Sequence, residues 1–405
     1  MQVDSLRQHQ LIILGNGFDL YSGLKSRFAD FFQPRMDIIC DAETKSDSQL
    51  QGNWGEFLNN QGITIWDLLL YEHRNQDWFD LEKTIHNCIT SNKINNSGIT
   101  DRYLSQAQTI LGTVWNYTKH HDRYPILNQT VPSLEDSTIA AAKFILDVYP
   151  DLNSDIADRA NLYGLFLLEL EQLEDAFSSY LTDAVDNTPS YEANAIATFR
   201  DIKSSDMLNL HLVSTSVLSF NYTQPLAETA EQEQVNWTNI HGQLKGSDHV
   251  IFGIAGEGLL DTQEVIPFTK TYKLLKLRNT KPNSIIHLPN SDAFPQTKVI
   301  KFFGHSLGES DYSYFQAIFD GINLYENHTR LIFYYSEPQK TANDPETKEE
   351  RKIQAETNTY RAVTRLLSAY GHTMTSEPAH GRNLMHKLLL EGRLEVKHID
   401  EIRSK

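Results

Sequence analysis

Four apolar residues, Leu11 to Leu14, run directly into the turn Gly15-Asn16-Gly17 near the start of the chain. A short, wholly apolar run is typical of a buried central strand in a parallel sheet. The two glycines allow a tight turn whose bare backbone N–H groups face a phosphate, so one interpretation is a nucleotide site. The other is an ordinary strand-to-helix turn, because Gly23 lies further from Gly17 than the third glycine of the dinucleotide fingerprint.

Helical periodicity follows this first strand. Apolar residues at helical spacing predict a helix that bends near Gly23: Leu20, Leu24, Phe28, Phe31 and Phe32. A longer helix is predicted by one apolar stripe: Phe166, Leu170, Leu173, Phe177 and Leu181. Weaker patterns of the same kind cover 77–90, 101–118, 133–147 and 190–203, and the polar stretch 41–53 predicts a loop. We therefore expect a large helical insertion at residues 36–205.

Short β-rich runs replace this pattern after residue 214. They predict strands at 217–220, 237–240, 250–254, 299–303 and 331–335. Helical stripes follow the last two, one through Tyr312 and Phe319 and one through Ala362 and Tyr370. This alternation predicts an α/β, mostly parallel, Rossmann-like sheet with helices on both faces. The first strand is expected to join it, so that residues 1–35 and 206–405 form a nucleotide-binding core.

Composition limits the function classes. The formal net charge of −17 opposes nonspecific binding to nucleic acid, although the basic segment 269–281 is a local exception. That segment is interpreted as a solvated surface or a clamp on an anionic small ligand. Cys40 and Cys88 are too few for a disulfide framework or a thiolate zinc site. Without an apolar signal segment or membrane span, the expected location is the cytoplasm.

Polar residues follow three of the predicted strands directly. Asn221 lies in SFNYT, directly after the strand predicted to end at Phe220, His241 lies in NIHG, and Gly304, His305 and Ser306 lie in FFGHSLGESDY. Ligands of open α/β sheets bind outside the carboxyl ends of the strands, so these residues and the first turn are expected to share one cleft.

Each of these residues also has a structural interpretation. Asn221 is in a position typical of a turn former, and His241 in one typical of a surface or core histidine. Ser306 resembles a helix N-cap ahead of Glu309 and Asp311, and Asp19 resembles a cap of the first helix. The functional interpretation depends on their joint placement.

Two other chemistries remain as alternatives. The letters Gly304-His305-Ser306-Leu307-Gly308 match a serine-hydrolase nucleophile elbow, with a triad completed by one acid and one histidine: Asp344, and His372, His380 or His386. The run Lys119 to Asp122 contains two histidines, but neighbouring residues of a helix do not share a face. We therefore expect no metal site.

Taken together, five motifs resemble the bacteriophage abortive-infection AbiH family: GNGFDLYSGL, WFDLE at 78–82, SFNYT, IHG and FFGHSLGESDYSYF. Members of that family are in turn similar to sirtuin-type NAD-binding domains. The resemblance implies a dinucleotide, NAD, as substrate or ligand. It places Gly15 and Gly17 under the pyrophosphate, and Gly304 with Ser306 beside the adenosine half.

The resemblance also implies roles for single side chains. Asn221 would orient water or the nicotinamide ribose, His241 would act as a general base, and Asp19 would face the ribose; these three are the predicted catalytic residues. The remaining residues are expected to bind the cofactor: Gly15, Asn16, Gly17, Phe18, Gly304, His305, Ser306 and Asp311. The paired cysteines of a sirtuin zinc ribbon are absent, so hydrolysis of the cofactor is the expected chemistry.

Several functions stay open on this basis. The first is an antiphage protein that hydrolyses NAD when infection triggers it, and the second is a nucleotide-binding sensor that signals through its helical insertion. A nuclease or toxin acting on RNA fits the acidic charge least well. The expected partners are a dinucleotide, a phage-derived trigger or partner protein, and a second copy of the chain, with no membrane.

Overall fold

The computed structural model describes residues 8–45, 50, 53–72, 81–90, 105–120, 127, 129, 131–132, 134, 136–150, 159–206, 213–226, 235–244, 250–256, 263–277, 297–339, 345–374 and 378–402. Contacts between residues divide the chain into two compact units. The sheet unit comprises Met1–Ser26, Asp183–Lys245 and Thr280–Lys405, and the helical unit comprises Arg27–Thr182 and Gly246–Asn279.

This division differs from the expected boundaries after residues 35 and 205. It assigns 27–35 and 246–279 to the helical unit and 183–205 to the sheet unit. The physical reason for the last difference is burial, because Tyr191, Ala195, Phe199 and Ile202 belong to the core beside the sheet.

Within the described residues, six strands form the sheet: β1 Gln8–Leu14, β2 Val213–Ser219, β3 Val235–Asn239, β4 Thr297–Phe303, β5 Arg330–Tyr335 and β6 Leu394–His398. Their order is β3-β2-β1-β4-β5-β6, and every pairing is parallel. This is the strand order of a Rossmann-type sheet. The predicted α/β class with a mostly parallel sheet is confirmed.

The helices of the described residues are, in chain order, α1 Asn16–Tyr21, α2 Phe28–Thr44, α3 Trp54–Asn60, α4 Ile65–Tyr71, α5 Leu81–Ile89, α6 Gln106–Lys119, α7 Ser137–Val148, α8 Arg159–Asp186, α9 Tyr191–Ser204, α10 Lys270–Leu277, α11 Tyr312–Gly321, α12 Lys348–Thr373 and α13 Pro378–Leu390. The single bent helix predicted near Gly23 is wrong. Gly23 has φ +99°, a left-handed conformation that interrupts the helical path, and α1 and α2 are separate helices.

Helices cover both faces of the sheet, as predicted. Successive side chains of a strand point to opposite faces. On one face Phe303 of β4 packs in a cluster with Phe18 of α1 and Phe199 of α9. On the other face its neighbour Phe302 contacts Phe315 of α11, with ring centroids 6.0 Å apart. The two faces therefore have separate apolar cores.

The helical unit is held by aromatic packing and buried ion pairs. Phe177 of α8 contacts Phe28 and Phe252, with ring centroids 5.8 and 5.3 Å away. Arg35 Nε donates to the fully buried Asp67 at 2.6 Å. Breaking such a pair destabilises the fold, because removing one partner leaves an uncompensated buried charge.

The strand predicted at Val250–Ile254 is wrong, although the segment is buried. Only Ile254 makes a β-type bridge, to Thr269, and the Phe252 N–H donates to the Glu174 carboxylate instead of to a strand. Conversely, β6 was not predicted. No helix in the described part of the chain combines the length and the apolar character that crossing a membrane requires.

Candidate functional site

The predicted site residues lie beyond the carboxyl ends of the strands, close to the point where the strand order of the sheet reverses. β1 and β4 are neighbours, with β2 and β3 on one side and β5 and β6 on the other. Open α/β sheets bind ligands in the crevice outside the carboxyl ends of the strands at such a switch point. Gly15 to Gly17 directly follow β1, and Gly304 to Ser306 directly follow β4. The two turns therefore meet at the switch point.

The glycines of these turns allow a close backbone approach. Gly15 N donates to Phe303 O at 3.1 Å, and Gly17 N donates to Gly304 O at 2.8 Å. A Cβ on Gly15 would lie 2.5 Å from His305 Cα, and Gly304 has φ +73°. The N–H groups of Gly15 and Gly17 thus donate to the end of β4 and to the turn that follows it. We call this contact between the two turns the interlock. The expectation that both N–H groups are bare is wrong, because the second turn occupies that position.

Asp19 lies in α1, two residues after Gly17, and is buried. Tyr191 Oη donates to Asp19 Oδ1 at 2.8 Å, and Thr223 Oγ1 donates to Oδ2 at 2.8 Å. Burial raises the pKa of Asp19 to about 6, against hydrogen bonds from Thr223, Tyr191 and the Asn221 side chain that lower it. Asp19 is not the N-cap of α1, because Gly15 holds that position.

Asn221 follows the last residues of β2, and its backbone is held on two sides. Its N–H donates to Ser219 Oγ at 3.2 Å, and Asn239 Nδ2 donates to Asn221 O at 2.7 Å and to Thr223 O at 2.8 Å. The side chain is only 4 % exposed. Its amide hydrogen-bonds to Asp19, whereas Oδ1 is buried with no hydrogen-bond partner in the described structure. Such an orphaned acceptor indicates a position for a bound hydroxyl or water.

His241, after β3, is brought close to the β4 turn. Its Nε2 lies 3.6 Å from Asp311 Oδ1, and His305 Nε2 lies 3.5 Å from Asp311 Oδ2. The Phe220 ring contacts both imidazoles, with centroids 5.4 Å from His241 and 4.3 Å from His305. Asp311 therefore lies between two histidines whose side chains are 8 % and 4 % exposed. We call this arrangement of two histidines around one carboxylate the histidine pair (His241, His305 and Asp311).

The observed N-cap residues of this segment exclude the interpretation of Ser306 as a helix cap. Gly308 is the N-cap of the short 3-10 helix Glu309–Asp311, without a side-chain cap. Asp311 is the N-cap residue of α11, again with no side-chain cap bond. Neither Ser306 nor Asp311 thus serves as a side-chain cap. His305 Nδ1 accepts the Leu307 N–H at 2.9 Å, which leaves its Nε2–H directed at Asp311 in the neutral ring.

A cavity of about 360 Å³ lies next to the interlocked turns, outside the ends of β4 and β5. Gly17, Gly304, His305 and Ser306 line it from the turns. Asn358, Thr359, Ala362 and Arg365 of α12 line it from the other side. The volume is within the usual range of ligand pockets, toward its small end. Sequence analysis missed these α12 residues, and the only signal was that Asn358, Ala362 and Arg365 share one helical face.

A comparison with protein families agrees with this arrangement. The chain matches the family model described as "Bacteriophage abortive infection AbiH" over residues 11–335, from β1 through β5. The chain belongs to the AbiH family. No curated protein and no solved structure matches it. Membership of the AbiH family indicates a role in phage abortive infection, whereas the likeness to sirtuins stays a prediction.

The hydrolase alternative does not fit the geometry of this AbiH chain. An elbow serine occupies a strained turn between strand and helix, but here the left-handed residues are Gly304 and Leu307, and Ser306 is exposed. His372 Nδ1 contacts Ser368 O, and His380 stacks on Tyr325 with ring centroids 4.0 Å apart. Asp344 lies outside the described residues.

Two further expectations concern charged residues outside the switch point. Lys270 and Lys273 of the basic segment are held inside the helical unit, with Nζ 2.6 Å from Glu82 Oε1 and 2.5 Å from Glu174 Oε1. These two charges are therefore already paired. In the described ranges no group of three His, Cys, Asp or Glu side chains could hold a metal ion. His121 and Asp122 lie outside those ranges.

Proposed function

We propose that this AbiH-family chain acts in abortive infection by hydrolysing NAD at the bond between nicotinamide and ribose. The observation that carries the proposal is the Asn221 amide, whose Oδ1 is buried beside the switch point without a hydrogen-bond partner among the described residues. Buried polar atoms in folded proteins normally have a partner. A ribose hydroxyl or a water molecule held by Oδ1 would supply it.

The reaction needs few groups. When the bond breaks, its electron pair leaves with the nicotinamide ring, which departs neutral, so no strong acid is required. A water molecule adds to the ribose carbon of the oxocarbenium-like state and releases a proton. The products are ADP-ribose, nicotinamide and that proton. A held water and a base are sufficient, and Asn221 and His241 are suited to these two roles.

The histidine pair supports the assignment of His241 as the base. A carboxylate next to Nε2 favours the tautomer with its proton on Nε2, so the Nδ1 lone pair accepts the proton from water. Asp311 then acts as a positioning residue, with Oδ1 3.6 Å from His241 Nε2. Catalytic hydrogen bonds are often longer before substrate binds.

The proposal is tested by measuring nicotinamide released from NAD by the purified protein. Removing the water holder or the base, in Asn221→Ala or His241→Ala, is expected to lower the rate about a hundredfold or more. Asp311→Asn keeps the size of the side chain but removes its charge, and is expected to lower the rate about tenfold. His328→Ala is the matched control, because His328 is an exposed histidine that lies outside these motifs.

Infected cells supply the trigger that abortive-infection proteins respond to. The cellular NAD concentration should fall after infection in cells that carry the wild type or His328→Ala. It should stay unchanged in cells that carry Asn221→Ala. Protection against phage with NAD unchanged would contradict the proposal. So would full activity of both Asn221→Ala and His241→Ala.

A second candidate is a nucleotide-binding sensor without turnover, and the state of Asp19 favours it. Asp19 is buried and its carboxylate oxygens already accept hydrogen bonds from Tyr191 and Thr223, so it presents no exposed surface to a ribose. For a sensor, NAD would bind at equilibrium without releasing nicotinamide. Protection would then be lost in Asn221→Ala at constant cellular NAD.

A further inference from the structure

The cavity outside β4 and β5 has walls of two kinds. Phe333 and Tyr335 of β5 and Leu307 of the β4 turn contribute apolar surface, which suits a flat ring. Ser306, Ser336 and Asn358 contribute polar groups. This combination is typical of a pocket for one half of a nucleotide rather than for a lipid or a bare ion.

Arg365 provides the charge of this cavity. Among the described residues that line it, Arg365 alone carries a permanent charge. It is exposed, and it makes no ion pair or hydrogen bond with any described residue. A guanidinium has several donors arranged for the oxygens of a phosphate, so an unpaired one on a cavity wall favours an anionic ligand.

The nearby carboxylate that follows β5 is already engaged. Glu337 Oε2 lies 2.7 Å from His398 Nε2, and Glu337 Oε1 lies 3.1 Å from Lys348 Nζ. The Glu337 carboxylate therefore has its own partners, and it forms no ion pair with Arg365. Arg365 also lies beyond the segment that matches the AbiH family, which ends at residue 335.

We infer that this cavity binds the phosphate-bearing half of an adenosine dinucleotide, with Arg365 as the residue that recognises a phosphate. The inference rests on the proposed nucleotide role. It adds which anionic group of the ligand is recognised and which residue recognises it. The phosphate is either the pyrophosphate bridge or a 2′-phosphate on the ribose. Both present oxygens to the same guanidinium, and binding experiments separate them.

The test is calorimetric titration of the full chain with adenosine, ADP-ribose and ADP-ribose 2′-phosphate. Arg365→Ala is expected to weaken ADP-ribose binding about tenfold and leave adenosine binding unchanged, if the bridge is recognised. If the 2′-phosphate is recognised, only the 2′-phosphate compound loses about tenfold. Arg361→Ala is the matched control, because it removes an exposed arginine one turn away on α12 that does not line the cavity.

Equal binding of both phosphate compounds to wild type and Arg365→Ala would overturn the inference. So would a wild type that binds neither. The proposed hydrolysis is judged separately by nicotinamide release. Release with no effect of Arg365→Ala on binding rejects only the role of Arg365, and Arg365-dependent binding without release rejects only hydrolysis.

Discussion

At the residue scale, the NH₂ group and the Oδ1 atom of the Asn221 amide have different surroundings, and the sequence alone does not show which of them has a partner. An ionised carboxylate only accepts hydrogen bonds, so Asp19 takes the amide NH₂ and leaves Oδ1 directed elsewhere. The sequence predicted functional roles for Asn221 and His241 and placed Asp311 among the cofactor-binding residues, but it did not predict that Asp311 lies next to two histidines. The partners of Asp311 are two histidines, one of which is distant in sequence, so no local pattern could indicate them.

Asp19 gives activity a pH dependence. A protonated Asp19 becomes a donor and can turn the Asn221 amide around, so nicotinamide release should fall as the pH drops below about 6, about tenfold per pH unit. Asp19→Asn should be slow at every pH, because its amide no longer holds the Asn221 amide in the same orientation. An unchanged profile between pH 5 and 7 in the wild type would contradict the role of Asp19.

The same raised pKa has the opposite effect on stability. The folded state holds the Asp19 proton more tightly than the unfolded chain does, so its contribution is fully present below about pH 4 and is lost as the pH rises through about 6. The ionised, buried carboxylate destabilises the fold by on the order of 3 kcal/mol. Asp19→Asn should therefore match or exceed the wild type in melting temperature at pH 8, as thermal denaturation would show.

At the element scale, the strands that the sequence predicted are those with a run of apolar residues. β1 and β5 carry continuous apolar runs, β4 carries a run interrupted only by Lys301, and all three were predicted. The β6 sequence Leu394–His398 alternates apolar and charged residues at the sheet edge and has only one buried residue, so it resembles an exposed segment. The run Val250–Ile254 shows the reverse case, in which burial alone, without a neighbouring strand, produces an apolar pattern.

The interlock of the β1 and β4 turns predicts a difference between two neighbouring glycines. Gly304 has φ +73°, and a Cβ there would overlap the backbone of Gly17 and Phe18. Gly304→Ala is therefore expected to lower the free energy of unfolding by at least about 2 kcal/mol. Gly308→Ala, in the same loop but with only ordinary contacts, should change it by less than about 0.5 kcal/mol. Chemical denaturation that ranks the two variants equally would contradict this packing.

At the scale of the whole molecule, the sheet is larger than the segment that the AbiH family describes. The family match ends at residue 335, where β5 ends, yet β6 pairs with β5 and α12 packs against it. The sequence left the role of the residues after about 340 open. Their helical stripe predicted α12, but only the folded chain shows that α12 also forms a wall of the cavity.

Truncation tests this dependence. A chain ending at residue 339 loses β6 and α12, which exposes the edge of β5 and the apolar residues beneath α12. It is expected to lose cooperative thermal unfolding and to be cleaved rapidly in limited proteolysis. A chain ending at residue 402 keeps every described element and should behave like the full length. Cooperative unfolding of the shorter chain would show that the family segment is an independent domain.

The hydrogen bond from Gly17 N to Gly304 O ties two regions of chemistry together. One turn leads within two residues to Asp19, and through it to the Asn221 amide. The other borders the cavity with Arg365. A ligand group that displaced the second turn would strain this hydrogen bond, and the bond therefore links what binds in the pocket to the turn that leads to the Asn221 amide.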